Sequence, residues 1–162
     1  MTDSRPNKDA SSDPHAPQRG VARHGATVSD DPGILGIEDS RAFAAALARS
    51  VIDDKCEHVI ILDVAQLTTV TSCIVIGTGT SDRQMRSTLD HLDEVADAFN
   101  TQVARISKDD GTTWLLADFV DVVVHLFEPN ARAYYDIESM WSDAPRLEPA
   151  PPGPTATEPK EG

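Results

Sequence analysis

The sequence predicts an α/β domain, with an α+β mixed sheet and flanking helices. The runs "HVIILDV" (residues 58–64) and "CIVIGTG" (residues 73–79) are short, continuous and rich in β-branched residues. Such runs are typical of strands that are buried on both faces. Residues 85–99 instead place apolar side chains at steps of four and three, which is the period of an amphipathic helix. Strand and helix patterns that follow one another in a single chain predict helices packed on a sheet.

The remaining elements follow from the same periodicities. Residues 38–55 read as a first helix, and Ser40 or Asp39 is positioned to cap its start. After the second helix, three shorter apolar runs predict strands, and a last segment predicts one or two helical turns. The last two strands lie close enough for a tight antiparallel hairpin. In chain order these four segments are residues 101–107, 114–119, 120–127 and 130–141.

Composition divides the chain into three parts. Residues 1–36 are rich in Pro, Gly, Ser, Asp, Arg and His and hold almost no apolar periodicity, so they predict a disordered arm. Residues 146–162 are Pro-rich and low in complexity, and predict a disordered tail. Residues 37–145 form the predicted domain, which is near the commonest domain size.

The net charge of −13 lies mainly on the predicted domain. Residues 1–35 carry five acids and four bases, and residues 147–162 carry three acids and one base, which leaves −10 for the rest. Affinity for nucleic acid rests largely on cations, so this balance argues against direct nucleic-acid binding. It favours a basic protein partner instead.

Targeting and redox features point to the cytoplasm. No stretch reaches the roughly 18 apolar residues that span a bilayer, and no apolar signal core follows the first residues. Cys56 and Cys73 have neither metal-ligand spacing nor a disulfide framework, so we expect reduced thiols.

The segment "IVIGTGTSDRQ" (residues 74–84) resembles the start of a phosphate-binding loop. It lacks the lysine of a Walker loop, and Asp82 occupies the place of the third glycine of a dinucleotide loop. A helix cap explains it better, because Ser81 and Gln84 have the spacing of a capping box. The sequence therefore predicts no cofactor and no catalytic residue at this loop.

The hairpin places chemically mixed side chains on one face of the sheet. With Phe119 and Val120 as the two loop residues, one face is apolar and predicts core. We weigh three readings of the other face: packing beneath the C-terminal helix, an interaction surface, or a metal site made by its Asp and His side chains. This second face comprises Trp114, Leu116, Asp118, Asp121, Val123 and His125.

Three segments together resemble the Iojap family, the ribosomal silencing factors. They are "LARSVIDDK", "DVAQLTTVTSCIVIGTGTSDRQ" and "WLLADFVDVVVHLFEPNARAYYDIESMWSDAP". The resemblance covers about residues 41–145. It implies a fold similar to that of nucleotidyltransferases but without their catalytic carboxylates, and a protein that is not an enzyme.

The resemblance also implies how such a protein acts. Family members bind the large ribosomal subunit through its protein fourteen, on the side that meets the small subunit. They block subunit joining there, which slows translation when nutrients are scarce, and they can form homodimers. A second hypothesis from another class is a nucleotide- or metal-dependent transferase with a vestigial site.

Several positions carry over from the family as candidate partner-binding residues, with Leu116 added from the same hairpin face. Two departures from the family pattern stand out. Val120 replaces the usual glycine between two aspartates, which predicts a strained turn or a different turn type because a β-branched residue tolerates positive φ poorly. Ser72 replaces an aspartate. The candidate residues are Trp114, Leu116, Asp118, Asp121, His125, Arg132 and Tyr135.

Overall fold

The computed structural model describes residues 34–153 and contains a six-stranded mixed sheet with helices on both faces. This confirms the predicted fold class. Along the chain the elements are α1 (Ile37–Asp53), β1 (Glu57–Asp63), β2 (Cys73–Thr78), α2 (Asp82–Ala98), β3 (Arg105–Lys108), β4 (Trp114–Asp118), β5 (Val122–Phe127), α3 (Pro129–Tyr135), α4 (Ile137–Met140) and β6 (Arg146–Leu147). Residues 1–33, which make up most of the predicted arm, lie outside the part of the chain that the structure describes.

The strand order is β3-β4-β5-β2-β1-β6. Strands β2 and β5 pair in parallel, and every other neighbouring pair is antiparallel. Strand β2 is buried on both faces, as continuous apolar runs predict, and β5 is buried except at the half-buried Val123.

The larger core lies between the sheet and the pair α1 and α2. Phe43, Leu47 and Val51 of α1 are fully buried there, as their four-residue spacing predicts. Met85 and Leu92 supply the matching stripe of α2. A smaller cluster on the opposite face lies beneath α3, α4 and the segment around Trp141.

The two helix starts differ from each other. Ser81 caps α2 as predicted, because its Oγ accepts the Gln84 backbone N–H at 3.1 Å. The Gln84 side chain reaches the Thr80 N–H at 2.6 Å, one residue before the position of a standard capping box. Helix α1 begins after Gly36 rather than after Ser40 or Asp39, so that expectation is wrong.

The sequence predicts a tail from residue 146, whereas the structure keeps residues 146–153 on the domain. Strand β6 pairs with β1 and covers its free edge. The Ala150 N–H donates to the Ala45 carbonyl at 3.0 Å, and Arg49 Nε donates to the Ala150 carbonyl at 2.9 Å. Prolines interrupt the apolar periodicity of this segment, but its backbone still forms hydrogen bonds with α1 and β1.

Candidate functional site

The glycine loop is explained by close packing. A Cβ at Gly77 would lie 2.8 Å from a methyl group of Val51, and one at Gly79 would overlap the Met85 side chain. Glycine is required at both positions because helices α1 and α2 approach the strand end closely. The geometry therefore supports the cap interpretation of this loop, and no phosphate cradle is needed to account for it.

The hairpin of β4 and β5 has a longer loop than the sequence suggested. Trp114 faces Phe127, Leu116 faces His125 and Asp118 faces Val123, whereas we expected each partner two residues earlier. A shift of two residues keeps every side chain on its face, because side chains alternate with a period of two. The assignment of faces therefore holds for the residues within the two strands, although the register was wrong.

Phe119 explains the shift of register. It lies in the loop, yet its side chain is only 1% exposed and packs edge-on against Phe43 at 5.4 Å. The Phe119 N–H donates to the Val122 carbonyl at 2.9 Å. Burial of an aromatic ring is favourable, so Phe119 stays with the core and the turn falls at Val120 and Asp121.

Asp121 does not lie on the predicted face, which corrects that part of the site. Its carboxylate accepts the Leu35 N–H at 2.7 Å, on the side of the sheet that α1 covers. Burial raises the pKa of Asp121, and the Leu35 hydrogen bond opposes this rise. The longer loop takes Asp121 out of the β5 ladder, and its carboxylate then ties the chain before α1 to the hairpin.

Arg132 is also absent from the hairpin face. Its guanidinium donates to the His58 carbonyl and to Thr78 Oγ1, both at 2.7 Å, and it also pairs with Glu138. The side chain is 13% exposed. Arg132 therefore fastens α3 and α4 to the ends of β1 and β2, which is a structural role that its sequence context did not indicate.

The remaining candidates share one exposed part of the sheet, which we call the open face. It lies over β3, β4 and the adjoining part of β5. Its side chains are exposed or half-buried except that of His125, which is buried, and Tyr135 at the end of α3 borders it. The sequence reasoning missed its β3 members. Pairing of β3 with β4 places Arg105 opposite Asp118 and Ser107 opposite Leu116. The open face comprises Arg105, Ser107, Trp114, Leu116, Asp118, Val123, His125 and Tyr135.

Trp114 is held in place by aromatic neighbours. Its indole lies 5.4 Å from the Phe127 ring and 4.7 Å from the Tyr135 ring, measured between centroids. Its Nε1–H donates to Nδ1 of His125 at 3.1 Å. Burial lowers the pKa of His125 to about 4, so the imidazole is neutral at pH 7 and able to accept this hydrogen bond. The indole is therefore fixed in one orientation before any partner arrives.

A cleft of about 210 Å³ lies beside this indole. Leu116 and Tyr135 provide apolar walls, and Arg105 and Lys108 stand at its rim with Asp109. The Thr113 hydroxyl and neighbouring backbone N–H groups lower the pKa of Asp109, against the effect of burial. An exposed aromatic and aliphatic surface with a charged rim is the composition of protein-binding sites.

The structure does not bring the three proposed metal ligands together. Asp118 Oδ1 accepts the Val120 N–H at 2.8 Å, Asp121 lies on the other side, and His125 is bonded to Trp114. Among residues 34–153, no group of three or more His, Cys, Asp or Glu side chains is arranged to hold a metal ion.

Two other sequence features can be compared with the structure. Cys56 and Cys73 are buried and free, and burial raises the pKa of Cys73 to about 12, so its thiol is protonated at neutral pH. Within the described part of the chain, no helix is both long enough and apolar enough to cross a membrane.

Comparison with known proteins identifies the family. The family model described as "ribosomal silencing factor during starvation" matches residues 37–161. The ribosomal silencing factor of Halalkalibacterium halodurans is 34% identical over 103 residues, covering 63% of this chain and 88% of that protein. That of Bacillus subtilis is 35% identical over 100 residues, covering 61% and 85%.

A solved structure agrees with these relatives. The crystal structure of a Chromobacterium violaceum protein is similar with a TM-score of 0.58 at 25% identity, covering 78% of this chain and 98% of the other. The family match spans most of the chain and includes the whole open face. The chain belongs to the ribosomal silencing factor (RsfS) family.

Proposed function

We propose that this protein represses translation in the cytoplasm by docking on the large ribosomal subunit through its protein fourteen and blocking its joining with the small subunit under nutrient limitation. Membership of the family supports the coarser statement, a role in ribosome-associated regulation of translation. The docking site, the partner protein and the steric mechanism are our inference from the family resemblance and the open face.

The observation that carries the proposal is the incomplete cover of β4. Trp114 and Leu116 stay half-buried, because α3 reaches this face with Tyr135, whose ring packs on the indole of Trp114. Exposed apolar patches that are rimmed by charges mark interaction sites. Trp114, Leu116 and Tyr135 are therefore the proposed anchors. His125 orients the indole of Trp114, and Asp118 lies on the same face opposite Arg105.

In this proposal, the charge of the protein contributes more to long-range attraction of the partner than to the contact itself. The cleft carries both signs, with Arg105 and Lys108 near Asp109. The net charge of −13 favours approach to a basic ribosomal protein, whereas the mixed rim serves selection of the correct orientation.

Co-sedimentation with separated ribosomal subunits tests the proposal. We expect the protein to migrate with the large subunit alone and to reduce the fraction of joined ribosomes. Leu116→Arg places a charge in the cleft and is expected to reduce both effects at least tenfold. Val70→Arg introduces the same charge at a site that is 80% exposed and outside the open face, so it serves as the matched control.

Two results would contradict the proposal. If neither subunit carries the protein at low or moderate salt, docking on the large subunit is wrong. If Leu116→Arg and Val70→Arg behave alike while both remain folded by circular dichroism, the open face is not the docking surface. Sedimentation equilibrium of the free protein tests the homodimer that the resemblance implies.

A further inference from the structure

A groove runs along the surface on the other side of the sheet, between α1 and α2. It encloses about 600 Å³, and its floor is apolar. The two helices run antiparallel there, because Phe43 of α1 contacts Phe99, which directly follows α2, and Asp54 at the end of α1 contacts His91 of α2. We call this the α1–α2 groove; its lining includes Ala46, Asp53, Glu94, Val95, Ala98 and Phe99.

Three carboxylates lie on the rim of this groove: those of Asp53 and Asp54 at the end of α1, and that of Glu94 on α2. The lining also includes the side chains of Arg49 and His91 and the C-terminal residues Ala150, Pro151 and Gly153. Arg49 lies 3.5 Å from Asp53, and His91 Nδ1 lies 2.7 Å from the Asp54 carboxylate, so two rim acids already have cationic neighbours.

One side chain reports a negative potential in the groove. The hydrogen bond and charge of Asp54 raise the pKa of His91, and the charges of Glu94 and Asp90 raise it further. A second cation placed beside His91 would be attracted by the same carboxylates.

The sequence contains a basic segment within reach of the groove. Residues 14–29 carry Arg19, Arg23 and two histidines but no acid, whereas the five acids of residues 1–33 all lie outside this segment. The described chain begins at Ile34, three residues before α1. The basic segment is thus attached close to one end of the helix that forms the groove.

We propose that residues 14–29 of this chain dock in the α1–α2 groove, with Arg19 and Arg23 directed to Asp53, Asp54 and Glu94. The aliphatic stems of the two arginines lie on the floor formed by Ala46, Val95, Ala98 and Phe99, while the guanidinium groups meet the carboxylates at the rim. Burying stems while the heads stay at the solvent boundary suits a groove with an apolar floor and acidic walls.

The length of the connecting chain matches the distance that it must span. From Ile37 to Asp53 a helix rises about 24 Å. At the reach of a random-coil linker, the 11 peptide steps from Arg23 to Ile34 correspond to a root-mean-square length of about 18 Å, and the 15 steps from Arg19 to about 22 Å. A tether whose typical length is close to the span gives the highest effective concentration, which is in the millimolar range. Modest intrinsic affinity is then sufficient for the docked state.

Paramagnetic relaxation tests this docking in the full chain. Ala22→Cys offers a site for a nitroxide label, since both native cysteines are buried. We expect the label to broaden the amide signals of Glu94 and Ala98 strongly at low salt. The broadening is expected to fall at least threefold at 0.5 M salt, where the Debye length drops to a few ångströms.

Matched variants separate a specific site from general attraction to an acidic protein. Asp53→Asn with Glu94→Gln is expected to reduce the broadening as salt does, whereas Asp110→Asn with Asp143→Asn removes two exposed acids elsewhere and is expected to leave it unchanged. Broadening that is spread evenly over the surface, or equal in the two double variants, would overturn the proposal.

A mixed sample identifies the occupant. Protein at natural isotope abundance that carries the nitroxide is mixed with ¹⁵N-enriched protein that has no nitroxide. Broadening of the groove in the mixture would mean that the segment docks on a second copy and would overturn docking within one chain. Absence of broadening in both samples would leave the groove to a basic segment of another protein, and the proposal would again fail.

Discussion

Val120 provides the sharpest test of the structural reasoning. Its φ is 72°, in the left-handed region, and the Asp121 N–H donates to the Phe119 carbonyl at 2.9 Å across it. This is a γ-turn of the strained, positive-φ form. The turn persists because the Val120 N–H is bound by Asp118 and the Phe119 ring is buried. The sequence predicted strain or an unusual turn at this position, and the structure shows a positive φ.

The expected effect is obtained by comparing V120G with V120A. Both variants lose the same γ-methyl groups, so the difference between them reports the backbone. A residue with a Cβ in the left-handed conformation costs about 1–2 kcal/mol, and glycine avoids this cost. Glycine loses about 0.5–1 kcal/mol more conformational entropy on folding than alanine. We therefore expect V120G to be more stable than V120A by about 0.5–1 kcal/mol.

Val70 provides the control. It is a valine with an exposed side chain outside any helix or strand, and its φ is not positive. There only the entropy difference acts, so V70G should be less stable than V70A by about 0.5–1 kcal/mol. Urea unfolding followed by tryptophan fluorescence measures all four variants, with equal denaturant slopes required for the comparison. If glycine is less stable than alanine at both positions, Val120 is not strained and the turn geometry described here is wrong.

Three further predictions concern titration and the aromatic cluster. Because burial lowers the folded pKa of His125 to about 4, the free energy of unfolding decreases as pH falls from about 6.5 to 4. In urea unfolding across this pH range, His125→Gln should lose about 3 kcal/mol less stability than the unmodified protein. Because the folded pKa of His91 is raised, its stabilising contribution is present below pH 6.5 and is lost as pH rises through the raised pKa. An NMR titration should show a lower His91 pKa in Asp54→Asn than in the unmodified protein. Trp114→Ala should weaken sedimentation with the large subunit while circular dichroism shows a folded domain, and an unfolded variant would instead place Trp114 in the core.

The sequence predicted those elements whose periodicity reflects burial on one face. The predicted bounds of α2 and of the two central strands lie within a few residues of the observed ones, because apolar side chains must meet the core at the period of their element. The two faces of the hairpin strands were also predicted correctly, except for Asp121. Alternation fixes the face of a side chain but not its partner, so the register and the position of Asp121 required knowledge of where Phe119 packs.

Other features depended on contacts far apart in the chain. Arg132 is fixed by the His58 carbonyl and Thr78, which lie 74 and 54 residues away, and no local pattern indicates such partners. Strand β6 is two residues long within a proline-rich segment, and it forms because β1 would otherwise present an unpaired edge. Arg105 and Ser107 joined the open face through pairing of β3 with β4, which the hairpin pattern alone did not reveal.

The open face combines rigidity with exposure, and this combination explains its aromatic composition. A side chain that must be ordered on binding loses about 0.5–1.5 kcal/mol of conformational free energy. Trp114 has lost this freedom already, because Phe127 and Tyr135 flank the indole and neutral His125 accepts its N–H. Burial of His125 therefore has a consequence besides packing. It keeps the accepting ring nitrogen of His125 unprotonated at physiological pH, which keeps the indole oriented. The open face is thus preorganised by the fold, so that a partner docking there would lose little free energy in ordering the indole.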